Sequence, residues 1–228
     1  MTNKIKYFFP DFKYPEAPTP AKLKVPDWWK DSERFFDGKM SLKGTEGNHG
    51  VKLCMPFLDA MTIGYTANLW VDVLVEQTYL GPKIGWRVGP DPIVQRDTLN
   101  KTIPIPAGHY KTHYAWRDIM FTQTPPGYSS LITHPLNRHD LPFMTLSGVV
   151  DTDMTMARGT LPFFLKEGFE GIIPAGTPMF QIIPFKREDW KIEEDDSLEE
   201  VGLENEFLTK KSLFGWYKKN KWSKKNYE

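Results

Sequence analysis

Cysteine occurs once in 228 residues, as Cys54, which excludes an intramolecular disulfide framework and any zinc site built from several cysteines. Net charge is lacking too. The 29 Lys and Arg balance 29 Asp and Glu, so no overall field draws the chain toward nucleic acid or an anionic membrane. No uninterrupted apolar run approaches the roughly 18 residues of a membrane-crossing helix. The opening residues, MTNKIKYFFPDFKYP, contain no apolar stretch of signal-peptide type, so a cleaved secretory leader is not expected. The G-x-S-x-G elbow, the phosphate-binding P-loop, G-x-G-x-x-G and H-E-x-x-H are all missing, which removes the hydrolase-elbow, P-loop, dinucleotide and zincin readings at motif level. A 3.6-residue apolar stripe is not sustained anywhere before residue 197.

What is present is proline and aromatic side chain. The 19 prolines are spread along the chain, and each breaks an interior helix and removes a backbone donor. Residues 1–50 are expected to be an extended arm and loop: Pro10, Pro15, Pro18, Pro20 and Pro26 favour a polyproline-like path, and Tyr7, Phe8, Phe9, Trp28 and Trp29 give it something to bury. Residues 51–190 form the expected β domain. Leu69, Val71, Val73 and Val75 alternate with Trp70, Asp72 and Leu74, a strand period. Further strands are expected at Gly85–Val88, Ser130–His134, Val149–Asp153, Thr160–Lys166, Gly171–Ile173 and Met179–Phe185, separated by Pro/Gly turns. With 40% hydrophobic residues to bury, this predicts a mainly β barrel or sandwich of short strands.

Residues 191–228 are expected to be an acidic-then-basic tail with a short helix. Ten acidic residues and only Lys191 lie between Glu188 and Glu206. Seven lysines from Lys210 to Lys225 then alternate with Phe214, Trp216, Tyr217 and Trp222. Leu198, Val201, Leu203 and Phe207 suit one apolar helix face, weakened by Gly202. The basic–aromatic ending suits a packing or interaction tail; nucleic-acid binding through phosphate contacts and stacking is the alternative.

Chemistry-bearing residues are sparse. His109 and His113 lie four apart, but nearby Pro104, Pro106 and Gly108 disfavour a helix that would bring them together. A barrel gathering one of them with His134 and a carboxylate would make an iron-type site, a minor alternative. Cys54, among apolar neighbours, is expected in the core. Asp151 and Asp153 are two apart. In a strand they would share one side about 7 Å apart and jointly hold a hydroxyl, water or metal. The reading that spacing favours makes them turn-closing acceptors of backbone N–H groups.

Gly148-Val149-Val150-Asp151-Thr152-Asp153-Met154 and Gly176-Thr177-Pro178-Met179-Phe180-Gln181-Ile182 resemble the hairpin and following strand of the β-clip fold, as found in the dUTPase and dCTP deaminase superfamily. The likeness covers residues 125–190. It implies a β-clip-like architecture, Asp151 at the catalytic aspartate position and Gln181 at the family's glutamine. Arg138, Asn137 and His134 stand where that family has its phosphate-reading loop. Met154 replaces the sugar-stacking tyrosine, the arginine–glycine pair is displaced to Arg158-Gly159, and no glycine-rich lid follows. Hydrolysis of dUTP is therefore not expected.

Over its fuller length the chain resembles proteins of tailed phages, marine myovirus-like ones foremost, on Pro20–Lys30, Cys54–Val73, Thr124–Arg138 and Gly148–Asp153. This implies the infected bacterial cytoplasm or the virion as setting. The leading expectation is a non-enzymatic, cofactor-free phage protein acting as a homo-oligomer or with other phage proteins, away from membranes. A nucleotide-binding or nucleotide-hydrolysing protein that uses Mg²⁺ is the alternative, with Asp151, Asp153, Gln181, Arg138, Asn137 and His134 as ligand-binding candidates.

Overall fold

A computed structural model describes residues 3–10, 16–36, 39, 48–87, 89–96, 103–154, 159–211 and 216–228. Among the described residues, strand outnumbers helix, 36% against 19%, and the strands form four sheets with no closed barrel, so the protein is mainly β. It divides into two compact units. The first comprises residues 1–24 and 61–187 with Tyr227, the second residues 25–60 and 188–226 with Glu228. The boundaries thus differ from those expected at 50 and 190, because the chain leaves the β unit after Lys24 and re-enters it at Met61.

All the described strands lie in the first unit. One pair joins β1 (Lys6–Phe8) to β8 (Phe121–Gln123). A four-stranded sheet runs β10 (Phe143–Thr145), β12 (Thr160–Lys166), β7 (His109–Arg117), β6 (Ile93–Arg96). A five-stranded sheet runs β11 (Gly148–Val150), β9 (Tyr128–Thr133), β14 (Pro178–Lys186), β3 (Tyr65–Asn68), β2 (Thr19–Pro20). The last runs β13 (Gly171–Ile173), β4 (Val73–Thr78), β5 (Gly81–Trp86). All pairings are antiparallel.

Burial explains the sequence of each strand. Val73 and Val75 are buried and Leu74 is exposed, so β4 shows the alternation of a sheet with one wet face. Phe163, Phe164 and Leu165 are buried in succession on β12, as are Met179, Phe180, Gln181 and Ile182 on β14. These interior strands are covered on both faces and read as apolar runs. Trp116 of β7 stacks on Phe163 with ring centroids 3.9 Å apart, and Phe143 meets it edge-on at 4.8 Å. The buried indole Nε1–H donates to Thr145 Oγ1 (3.0 Å), whose hydroxyl donates to Met179 O (2.7 Å). That relay joins the four-stranded sheet to the five-stranded one.

Three expectations are corrected. The alternating run Leu69–Val75 is not one strand: β3 ends at Asn68, residues 69–72 connect the two sheets, and β4 begins at Val73. Between them Leu69 N–H donates to Thr177 O (2.8 Å) and Asp72 Oδ1 accepts from Ala175 N–H (2.7 Å), so the chain turns a corner. The strand expected through Asp153 stops at Val150. Short helices also precede residue 197, namely α1 (Asp27–Asp31) and α2 (Met55–Thr62), whose Pro56 sits in the first turn, where its missing N–H costs nothing.

In the second unit Gly50 N–H donates to Arg34 O (2.8 Å) and Phe36 N–H to Asn48 O (2.9 Å), holding residues 34–36 beside 48–50. The helix expected in the tail is α3 (Leu198–Lys211), followed by α4 (Trp216–Asn220). Glu199 and Glu200 in the first turn of α3 complement the helix dipole. Among the described residues no helix is long and apolar enough to cross a membrane.

Phe163→Ala removes a fully buried ring from this stack, and a loss of about 3–5 kcal/mol is expected, read as a lower chemical-denaturation midpoint.

Candidate functional site

The residues that close β11 form a turn: Thr152 N–H donates to Val150 O (2.9 Å) and Met154 N–H to Asp151 O (3.1 Å). Asp151 and Asp153 therefore do not line up on a strand face. Thr152 between them is buried, its hydroxyl bonded to those of Thr124 (2.7 Å) and Ser130 (3.0 Å). Asp153, with its side chain only 5% exposed, accepts the Gly127 N–H at Oδ2 (2.6 Å). Gly127 has φ +80° at the third position of the Pro125–Tyr128 turn, a backbone state that favours glycine.

Arg187, directly after β14, completes the corner. Its Nη1 reaches Asp153 Oδ1 at 2.8 Å and its Nη2 reaches Oδ2 at 2.5 Å, a two-pronged pair. Nη1 also bonds Ser129 Oγ (3.1 Å) and lies 3.4 Å from Asp151 Oδ1. The hydrogen bond from Arg187 holds the Asp153 carboxyl below its ordinary range, with help from Gly127 N–H against the effect of desolvation. Reciprocally, Asp153 raises Arg187. Asp151 is different: its side chain is 61% exposed and takes one short bond, from the Ser129 hydroxyl (2.7 Å). Arg187 escaped sequence reasoning. Antiparallel pairing of β14 with β9 is what brings the residues after Lys186 beside the PPG turn, and that pairing is set by sheet order and not by any local sequence signal.

The other candidates gather elsewhere. Gln181 is buried; its Oε1 accepts from Leu136 N–H (2.9 Å) and its Nε2 donates to Ile63 O (2.6 Å). Arg138 binds Asp140 through Nε (2.9 Å) and Nη2 (2.8 Å), and Lys24 O through Nη1 (3.1 Å). Asn137 holds φ +60° in the turn closed by Arg138 N–H to Pro135 O (3.1 Å), supplying conformation where a phosphate reader was expected. His134 Nε2–H donates to Arg138 O (3.0 Å) while Nδ1 accepts from Thr145 N–H (3.3 Å), which requires the neutral ring with its proton on Nε2. Burial lowers its pKa, opposed by the Arg138 carbonyl.

Gln181 stands apart from the corner formed by Asp151, Asp153 and Arg187. Gln181 pairs with Thr133 at one end of the β9–β14 ladder, whereas Arg187 follows Lys186, which pairs with Tyr128 at the other. Six residues of extended chain separate the two by roughly 20 Å. Arg158 lies outside the described residues.

His113 is buried against Phe164, and among the described residues no three His, Cys, Asp or Glu side chains converge as a metal-holding group. Cys54 is exposed, contrary to the core position expected, because it sits at the junction of a 3₁₀ turn (Val51–Leu53) and α2 with its side chain outward. Comparison with protein-family models and with curated proteins returns no match.

Two pH dependences follow. The depressed Asp153 contributes stability that is fully present above the unfolded carboxyl's value of about 4 and fades as pH falls through its lower folded value. The denaturation-midpoint gap between wild type and Arg187→Gln is therefore expected to be open at pH 7 and to narrow below about pH 4. His134 acts with the opposite chemistry. Below about pH 6.5 the unfolded imidazole takes up a proton that the folded one resists, so stability declines from there as pH falls through the lowered folded value. His134→Gln, which cannot take up that proton, is expected to flatten this limb in midpoints measured between pH 7.5 and 5.

Proposed function

We propose that the chain is a non-enzymatic, β-clip-like subunit that works as an oligomer, as a structural or interaction component in the tailed-phage setting its sequence resembles. One observation carries this reading: apolar side chains of the C-terminal segment stand in water. Trp190 is 85% exposed, Leu203 59% and Phe207 60%, and Ile192, Leu198 and Val201 are exposed as well. Leu203 and Phe207 share one side of α3 and Leu198 and Val201 another, instead of the one apolar face expected. Water contact with this surface is unfavourable, and association relieves it.

The occupant that fits is a second copy of the chain. The acidic run from Glu188 to Glu206 and the lysines from Lys218 to Lys225 are complementary in charge between copies. A nucleotide-hydrolysing reading at the Asp151 corner has less support, since Arg187 already pairs closely with Asp153 and lies against Asp151, which opposes Mg²⁺ there.

Size-exclusion chromatography with light scattering at micromolar concentration is expected to give a mass well above one chain. Leu203→Ser combined with Phe207→Ser is expected to shift that mass to the monomer without changing the thermal midpoint of the β unit. A strictly monomeric wild type would overturn the reading.

A further inference from the structure

Within the second unit, residues from α1, the 3₁₀ turn, the start of α2, the end of α3 and α4 surround a cavity of about 800 Å³. Its size falls in the range of small-molecule sites, far larger than a lone inorganic anion needs. The charge of its lining is one-sided. Arg34, Lys52 and Lys218 contribute cations and His49 an imidazole, while none of the described lining residues is acidic. The nearest carboxylate on α2, Asp59, is engaged elsewhere, accepting from Trp222 Nε1 (2.9 Å) and Lys225 Nζ (2.6 Å). Those bonds also hold the end of the chain on α2, as a packing tail would.

Aromatic surface accompanies the positive charge. Trp29, Trp216 and Tyr217 line the same cavity. Lys52 Nζ lies 5.6 Å from the Trp29 ring centroid and bonds Ser32 O (3.1 Å), which holds one cation in place at the wall. Lys221 Nζ stands 5.7 Å from the Trp216 ring, adding charge beside a second indole. Tyr217 and Leu53 are partly exposed, so the cavity opens to solvent.

Cations select an anion, and several together favour a dianionic phosphate over a single carboxylate. Flat aromatic walls select a planar ring, whose stacking tolerates many ring types. One class of molecule carries both parts at this volume. We infer that this cavity is a binding site for a free nucleoside monophosphate, its phosphate among Arg34, Lys52 and Lys218 and its base against Trp216 and Tyr217. The inference goes beyond the assembly role and does not rest on it, since it concerns a different part of the second unit.

The single cysteine provides a built-in reporter, because Cys54 is exposed and lines the cavity. Alkylation of Cys54 by neutral iodoacetamide is to be followed in the full-length protein with adenosine monophosphate, adenosine, inorganic phosphate or an oligodeoxyadenylate present. Tryptophan fluorescence gives the affinities. Adenosine monophosphate is expected to slow alkylation saturably, and adenosine to bind at least about tenfold more weakly. Arg34→Ala with Lys218→Ala is expected to weaken nucleotide binding by about tenfold or more, and Lys191→Ala, outside the lining, to leave it unchanged. Circular dichroism checks that the variants fold; protection of the wild type needs no variant at all.

Absence of saturable protection by the nucleotide would overturn the assignment. So would equal binding of adenosine, which removes the phosphate contact, or equal protection by phosphate alone, which removes the ring contact. Binding of the oligonucleotide without binding of the mononucleotide would overturn it in favour of single-strand contact.

Discussion

The fold depends on how a polar handle is buried in an aromatic core. Trp116 brings an indole N–H into a fully buried position, where an unpaired donor is costly. Thr145 meets that need and passes the requirement on to the Met179 carbonyl. Three strands, β7, β10 and β14, are thereby held in one relative register, and the rings of Phe143 and Phe163 can stack only where that register puts them. The four-stranded and five-stranded sheets are thus matched by directional bonds as well as by apolar area.

The same economy governs the candidate site. At the Asp153 corner a carboxylate, a glycine N–H and a guanidinium satisfy one another. At the other end of the β9–β14 ladder, Gln181 and His134 spend their polar atoms on backbone groups of Leu136, Arg138, Thr145 and Ile63. Side chains committed in this way stabilise loops; a ligand would have to displace bonds already made. The second unit differs in character: although Lys52 is tied to backbone carbonyls, cations and aromatic rings stand around open volume, and apolar helix surface lies in water.

Strand existence was legible where burial imposes a pattern. Thr160–Lys166 and Gly171–Ile173 are strands over the residues that their apolar runs marked, and Met179–Phe185 extends by one residue at each end. Legibility failed where local chemistry overrode the pattern. Leu69–Val75 alternates correctly, yet Asp72 accepts Ala175 N–H and turns the chain between sheets, a tertiary contact no window can contain. His109–Arg117, a central strand, was masked by its Lys, Thr and two His residues, although Tyr114, Ala115 and Trp116 are buried. For the site, residue types were readable but their partners were not. Asp153 finds Arg187 34 residues away and Gln181 finds Ile63 118 away, pairings set by sheet order.

The second unit is built from two stretches, 25–60 and 188–226, separated by nearly all of the β unit. During synthesis the first stretch leaves the ribosome with about 130 residues still to come before its counterpart starts to emerge, an interval on the order of 10 s at cellular elongation rates. Trp28, Trp29, Phe57 and Leu58 must spend that time without the helices that complete their unit. The β unit, finished at Arg187, is free to fold in the meantime. Birth order therefore makes the earlier-made stretch the later to settle, and leaves it a natural client for a chaperone while it waits.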